Sequence, residues 1–250
     1  MLTEPTMVLF QRLKLTGMQE RYEELLKDPA SHSLSHAEVV TMLLEAELHQ
    51  VERRRLKRLL RSSRLKQPSA CIEDIDYRAK RGLNRTQIMD INALRWVDNI
   101  INIILTGETG TGKTWLACAW SIQCIRKGIP VLYYRLSRLL EEMEVARGDG
   151  SLPKLRTKIG KALVLVLDDW GVSKLTARGR QDLLEIIEDR TGSGSVMITS
   201  QLPIEKWHSF IGEPTIADAI LDRLVHNAYK VPLKGESMRK RLSKMKEELS

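Results

Sequence analysis

The sequence predicts an α/β fold built on a five-stranded parallel β-sheet, preceded by a small helical region. Candidate strands and helices alternate along residues 100–235, as expected when helices connect parallel strands. The apolar runs at 103–105 and 163–167 are continuous, which indicates strands buried on both faces of the sheet. A glycine-rich segment lies between the first strand and the helix that follows it. The candidate strands are 100–106, 131–134, 163–167, 196–199 and 229–231, and the helical segments are 113–127, 137–147, 176–191 and 216–226.

Residues 1–66 are expected to form a helical N-terminal domain. Apolar residues recur at close to helical spacing over 6–27, and a segment that contains Pro29 ends this helix. Ser35 followed by Glu38 matches a capping box, which predicts the start of a second, long helix. Residues 67–99 are expected to link this domain to the main domain at 100–250.

The composition limits the classes of protein to consider. The chain has 250 residues and a formal net charge of +8, which favours a polyanionic partner, nucleic acid first. No apolar run approaches the roughly 20 residues that span a bilayer, so we expect neither a membrane protein nor a signal peptide. The three cysteines show no zinc-binding spacing, which fits reduced thiols in the cytoplasm.

The segment 107–114 matches the phosphate-loop pattern G-x-x-x-x-G-K-[ST] in full. Glycines let backbone N–H groups turn towards phosphate oxygens, and the helix N-terminus adds partial positive charge. Lys113 is expected to reach the β- and γ-phosphates, and the Thr114 hydroxyl to bind Mg²⁺. ATP and Mg²⁺ are therefore the predicted ligands. Residues 72–77 are assigned to the adenine contact only from their position in the chain. The predicted nucleotide-binding residues are Gly107, Glu108, Thr109, Gly110, Thr111, Gly112, Lys113 and Thr114.

Two acids follow the third apolar strand. Residues 163–167 run into Asp168 and Asp169, and ligands of open parallel sheets bind at this carboxyl edge. Asp168 is expected to hold Mg²⁺ through water. Asp169 is placed to orient or deprotonate an attacking water. Together with the phosphate loop, this Walker B pattern predicts ATP hydrolysis.

Two basic segments are candidates for DNA contact. Residues 53–66 contain arginines and lysines with no acid between them, whereas a solvated helix usually includes acids one turn away. A partner helix or an acidic protein surface is the alternative to DNA for this segment. A second cluster lies at 154–161. No base-reading motif is apparent, so duplex DNA binding with little sequence preference is expected. The candidates are Arg53, Arg54, Arg55, Lys57, Arg58, Arg61, Lys154, Arg156, Lys158 and Lys161.

These motifs, with the runs 198–201 and 220–224, resemble those of AAA+ ATPases. Nearly the whole chain resembles the IstB family of insertion-sequence transposition helpers, which are relatives of DnaC-type helicase loaders. The resemblance implies an AAA+ P-loop NTPase fold with a reduced C-terminal lid. It places Gln201 at the sensor 1 position, Arg223 at the arginine finger that acts on a neighbouring subunit's ATP, and Arg239 at sensor 2. Asp169 stands where many members carry Glu, and Gln201 replaces the commoner Asn.

The resemblance implies a homo-oligomer that assembles on duplex DNA with ATP. Such an assembly would regulate target selection and the activity of a cognate transposase. In AAA+ assemblies the segment at 154–161 often faces the central channel. Three alternatives remain at this point: a replicative helicase loader that binds single-stranded DNA, a small-molecule P-loop kinase, and an architectural DNA-binding protein in which ATP is only an assembly switch.

Overall fold

The computed structural model describes residues 3–79, 81–238 and 240. The chain divides into two compact units, Met1–Arg58 and Leu59–Ser250. The expected domain boundary at residue 66 and the expected linker stay predictions. Within the described residues, no helix combines the length and the apolar character needed to cross a bilayer.

The first unit is helical, as predicted, but its first helix is broken. Helices α1 (Thr3–Leu13) and α2 (Thr16–Lys27) replace the single helix expected over 6–27. Lys14 between them adopts a left-handed conformation, with φ of 58°. The apolar spacing continues through the break, and for this reason periodicity alone did not reveal it.

The long third helix begins as its capping box predicts. Helix α3 runs over His36–Ser63 and extends from the first unit into the second. The backbone N–H of Ser35 donates to Glu38 Oε2 at 2.8 Å, and the N–H of Glu38 donates to Ser35 Oγ at 3.3 Å. Two backbone donors at the helix start are thereby satisfied.

The second unit contains the predicted five-stranded sheet. All strand pairs are parallel, and the strand order is β2-β3-β4-β1-β5. The third strand is longer than expected, because it includes both Asp168 and Asp169. The strands are β1 (Asn102–Gly107), β2 (Val131–Arg135), β3 (Val164–Trp170), β4 (Ser195–Ser200) and β5 (Ala228–Leu233).

Helices cover both faces of this sheet. The helices of the second unit that follow α3 are α4 (Arg85–Asn92), α5 (Arg95–Asp98), α6 (Lys113–Arg126), α7 (Leu136–Gly148), α8 (Leu152–Gly160), α9 (Ala177–Arg190), α10 (Trp207–Ile211) and α11 (Pro214–Val225). Ile103 and Leu105 pack in one layer with α4, α5 and α6, whereas Ile104 packs in the opposite layer with α7 to α11. The double burial explains the continuous apolar runs of the sequence. Helices α4, α5, α8 and α10 were not predicted.

A buried arginine holds together the amino ends of two central strands. Arg190 is 2% exposed, and burial lowers the pKa of its guanidinium to about 10, so the group is protonated at neutral pH. Its sequence neighbours Glu188 and Asp189 suggest local ion pairs, but the guanidinium instead donates to backbone carbonyls. These belong to Ile159, Ala162, Leu163 and Ser195.

Candidate nucleotide-binding site

The phosphate loop follows β1, which lies between β4 and β5 in the interior of the sheet. Helix α6, which follows β1, packs on one face of the sheet, whereas α10 and α11, which follow the neighbouring strand β4, pack on the other face. In open parallel sheets, ligands bind where the connections of two adjacent strands diverge in this way. A Cβ atom at Gly107 would lie 2.1 Å from the carbonyl oxygen of Leu233, so only glycine allows β5 to pass this closely. Gly112 has φ of 98° and caps α6, which begins at Lys113. The predicted strand, loop and helix are thus present in order.

The two functional side chains at the start of α6 face different partners. Lys113 Nζ donates to the carbonyl oxygens of Gly107 and Glu108 at 2.6 and 2.8 Å, which holds the ammonium against the loop. Thr114 Oγ1 donates to Asp168 Oδ1 at 2.7 Å. Thr114 and Asp168, the predicted metal ligands, therefore lie together. Their hard oxygen donors are of the kind that Mg²⁺ prefers.

The Asp168 carboxylate is completely buried and accepts several O–H bonds. Besides Thr114, Thr199 Oγ1 donates to Oδ1 and the Tyr133 hydroxyl donates to Oδ2, both at 2.5 Å. Burial, reinforced by this bond, raises the pKa of Tyr133 far above its usual value, so the phenol remains a donor. Lys66 Nζ lies 3.7 Å from Oδ2. The carboxylate is fixed in orientation from both sides.

Sequence reasoning missed Tyr133, Thr199 and Lys66. Thr199 is the last residue of the predicted strand 196–199, and Tyr133 lies in the predicted strand 131–134, so both belong to predicted elements. A tyrosine or threonine at the carboxyl end of a buried strand is a signal that could have found them. Lys66 was counted within a basic segment, where nothing in the sequence separates it from the other cations.

Asp169 lies in a bulge that turns its carboxylate away from that of Asp168. The pairing of β3 with β4 shifts register between Leu167 and Trp170, and Asp169 has φ of 61°. A left-handed non-glycine residue costs about 1–3 kcal/mol and persists only where its surroundings hold it. Here the N–H of Asp169 donates to Thr199 Oγ1 at 3.2 Å, and Oδ2 lies 3.4 Å from Arg135 Nε. The two adjacent acids thus have separate environments.

A cavity of about 510 Å³ opens over the phosphate loop. Thr109 and Gln201 line it, and Thr109 Oγ1 donates to Gln201 Oε1 at 2.8 Å. Gln201 therefore lies at the phosphate loop, and its role as sensor 1 stays a prediction. Residues that precede the sheet complete the wall, and the predicted adenine segment 72–77 contributes two of them. The residues of this wall are Lys66, Gln67, Asp74, Asp76 and Arg81.

Arg223 lies outside the cavity of its own chain. Its Nη2 atom is 3.1 Å from Glu188 Oε1 of α9, and its carbonyl oxygen accepts a bond from the Asn102 side chain at the first residue of β1. The phosphate loop begins at the last residue of that strand. At 3.3 Å per residue, roughly 17 Å of strand separates the two ends. Arg239, the predicted sensor 2 residue, lies outside the described residues.

The predicted DNA-binding residues fall into separate groups. Those of α3 are exposed to solvent: Arg53, Arg54, Arg55, Lys57, Arg58 and Arg61. On α8 and just after it, Lys154, Lys158 and Lys161 line a second cavity of about 510 Å³ at the amino end of β2. Arg156 instead forms an ion pair with Glu185 of α9. The α8 cluster is thus divided between two surfaces.

Comparison with known proteins decides the family. Residues 8–246 match the model of the IstB-like ATP binding protein family. The chain belongs to this family. It is 45% identical to an insertion sequence ATP-binding protein, y4pL, of Sinorhizobium fredii, over 96% of this chain and 98% of that protein. It is also 45% identical to the ATP-binding protein of insertion sequence IS1162 from Pseudomonas fluorescens, over 81% of this chain and 88% of the relative.

Solved structures show the same fold at low identity. A DnaC helicase loader aligns with a TM-score of 0.54 at 20% identity, over 66% of this chain and 97% of the loader. AMPPCP-bound DnaA from Aquifex aeolicus aligns with a TM-score of 0.55 at 18% identity, over 72% of this chain and 55% of DnaA. The predicted AAA+ P-loop fold is confirmed. This IstB-like protein is an ATP-binding ATPase related to insertion sequences, as predicted.

Proposed function

We propose that this IstB-like ATPase assembles with ATP on duplex DNA and directs a transposase of its insertion sequence. The position of Arg223 is the observation that supports the proposed assembly. A guanidinium that stabilises charge on the γ-phosphoryl oxygens must contact them, and Arg223 lies at the opposite end of β1 from its own phosphate loop. Arg223 is therefore proposed to serve the ATP of a neighbouring copy, so that hydrolysis requires an oligomer.

The contacts of the described side chains suggest a separate role in ATP hydrolysis for each residue of the site. Lys113 is proposed to exchange the loop carbonyls for β- and γ-phosphate oxygens, and Thr114 and Asp168 to hold Mg²⁺. Mg²⁺, when bound, neutralises charge on the phosphate oxygens. Asp169 is proposed to accept a proton from the attacking water, because its carboxylate faces the cavity. Gln201, held by Thr109, is proposed to position that water.

DNA binding and a transposase partner complete the proposal. The exposed cations of α3 and the lysine-lined cavity at β2 offer phosphate contacts, which give affinity with little sequence preference. The transposase is inferred from relatives whose names place them in insertion sequences. Only a similarity of fold, at 20% sequence identity, supports the alternative that the protein is a helicase loader. A cytoplasmic location remains our expectation.

A mixing experiment tests the shared site. Arg223→Ala and Asp169→Asn should each strongly reduce DNA-stimulated ATP hydrolysis, which is measured as phosphate release. When the two variants are mixed, an intact Asp169 of one can meet an intact Arg223 of the other, so activity should reappear. A mixture that remains as inactive as its parents, although both variants assemble on DNA, would show that Arg223 does not act across subunits.

A further inference from the structure

Lys66 enters the wall of the nucleotide cavity from the segment that follows α3. Its Nζ atom lies 3.7 Å from Asp168 Oδ2, beyond the usual length of an N–H···O hydrogen bond. Asp168 meanwhile accepts three shorter O–H bonds. The carboxylate is therefore satisfied without Lys66. In the part of the chain that the structure describes, this ammonium contributes charge to Asp168 but forms no hydrogen bond.

The backbone that carries Lys66 is firmly placed. Ser63 is completely buried, and Leu65 packs against the apolar layer that contains α6. Arg64 adopts a left-handed conformation, with φ of 57°, and its Nη1 atom donates to the Tyr134 hydroxyl and to Glu142 Oε2, both at 2.8 Å. Strain of this kind persists where the surrounding structure enforces it, often at ligand sites. The Lys66 side chain is thus placed at the cavity by a fixed backbone, with 31% of its surface exposed to solvent.

The next residue offers an independent sign of a ligand at this place. The Oε1 atom of Gln67 is buried, and it has no hydrogen-bond partner among the described residues. Gln67 lines the same cavity as Lys66. A buried acceptor of this kind normally binds water, an ion or another group. The segment therefore presents a cation and an unsatisfied oxygen to one cavity.

We propose that Lys66 is a second phosphate-binding lysine, which contacts the terminal phosphate of ATP from the side of Asp168. Lys113 would approach the phosphates from the loop, and Thr114 and Asp168 would hold Mg²⁺, which would neutralise charge on the phosphate oxygens. A triphosphate bound there supplies the hydrogen-bond acceptors that the ammonium lacks. This inference rests on the proposed nucleotide site at 107–114.

Nucleotide binding by the full chain tests this role separately from turnover. In Lys66→Met, which keeps the apolar stem but removes the charge, the affinity for a fluorescent ATP analogue should fall about tenfold or more, with EDTA as well as with Mg²⁺. The affinity for the corresponding ADP analogue should fall less, because ADP lacks the terminal phosphate. Lys66→Arg should recover most of the affinity. Lys127→Met removes one charge at the other end of α6 and should bind like the wild type.

The outcomes separate this inference from the nucleotide site itself. Wild-type affinity in Lys66→Met, or equal losses for the ATP and ADP analogues, would overturn the role of Lys66. Lys113→Ala serves as the reference. If it loses affinity while Lys66→Met does not, only the Lys66 inference is wrong, but if neither loses affinity the nucleotide site is wrong as well. Lys66→Gln provides the same comparison if the methionine variant melts at a lower temperature than the wild type.

Discussion

At the scale of single residues, two adjacent aspartates acquire different chemistry from their backbone conformations. Asp168 is completely buried and accepts bonds from three hydroxyl groups. Asp169, turned by the bulge of β3, keeps a partly exposed carboxylate at the cavity and pairs with Arg135. The first environment suits a fixed metal ligand. The second leaves a carboxylate that lines the cavity, as the proposed role of Asp169 as an acceptor from water would need.

The role of Asp169 can be tested without disturbing the bulge. Asparagine tolerates left-handed backbone well, so Asp169→Asn should keep the fold and the ATP affinity. Loss of the general base should lower DNA-stimulated turnover about 10²–10⁴-fold, measured as phosphate release. Arg135→Gln, which removes only the ion pair, is the matched control and should have a smaller effect. Near-wild-type turnover in Asp169→Asn would instead favour another group as the base.

At the scale of elements, helix α2 depends on a side chain of α3. The backbone N–H groups of Gly17 and Met18 donate to Glu47 Oε2 at 2.7 and 3.2 Å. A Cβ atom at Gly17 would lie 2.4 Å from the carbonyl oxygen of Ala46, so glycine is required for this approach. A carboxylate at a helix N-terminus satisfies free donors and complements the helix dipole. This contact explains why the chain turns at Lys14 rather than continuing as one helix.

Removing this carboxylate should destabilise the first unit locally. In Glu47→Ala, two backbone donors lose their acceptor, which should cost about 0.5–2 kcal/mol, as for the loss of an N-cap. Hydrogen exchange of the amides in α2 should accelerate, while the amides of the central strands keep their protection. Glu45→Ala, an exposed acid on the same helix, serves as the control and should leave the exchange unchanged. Equal exchange in both variants would mean that Glu47 does not hold α2.

At the scale of the whole molecule, one group of lysines lies at the opposite edge of the sheet from the nucleotide cavity. Lys154, Lys158 and Lys161 line a cavity at the amino end of β2, whereas the phosphate loop lies at the carboxyl edge of the sheet. Burial, with Arg64 nearby, lowers the pKa of Lys158. If the lysine-lined cavity contacts DNA as proposed, the separate edges would allow one chain to bind ATP and DNA together. They also require that any coupling between the two ligands pass through the sheet or through neighbouring subunits.

The salt response of DNA binding tests this surface. For random duplex DNA, the logarithm of affinity should fall linearly with the logarithm of salt concentration, and each lost phosphate contact should reduce the slope by about 0.9. Lys154→Gln and Lys161→Gln should each reduce the slope. Arg156→Gln should change it less, because Glu185 already engages that guanidinium. A flat salt response, or equal slopes in all variants, would contradict phosphate binding by this cavity.

The sequence alone predicted the fold class and the strands that carry the phosphate-loop and Walker B motifs. The nucleotide-binding residues stay predictions from the same motifs. These features are local: apolar runs, glycine spacing and the residues beside them follow directly from backbone geometry. The capping box of α3 was predictable for the same reason. The break at Lys14 was not, because it arises from Glu47, which is distant along the chain.

Only the tertiary structure decided which distant side chains meet. Tyr133 and Thr199 meet Asp168 because parallel strands bring their carboxyl ends to one edge of the sheet. Lys66 reaches the same carboxylate from the segment after α3, and nothing in its local sequence specifies that meeting. Likewise, the acidic residues that precede Arg190 in the sequence suggest local ion pairs, yet its buried guanidinium donates to backbone carbonyls of other segments. Periodicity and motifs encode what each segment becomes. Contacts between segments depend on strand register and helix packing, which become fixed only when the sheet assembles.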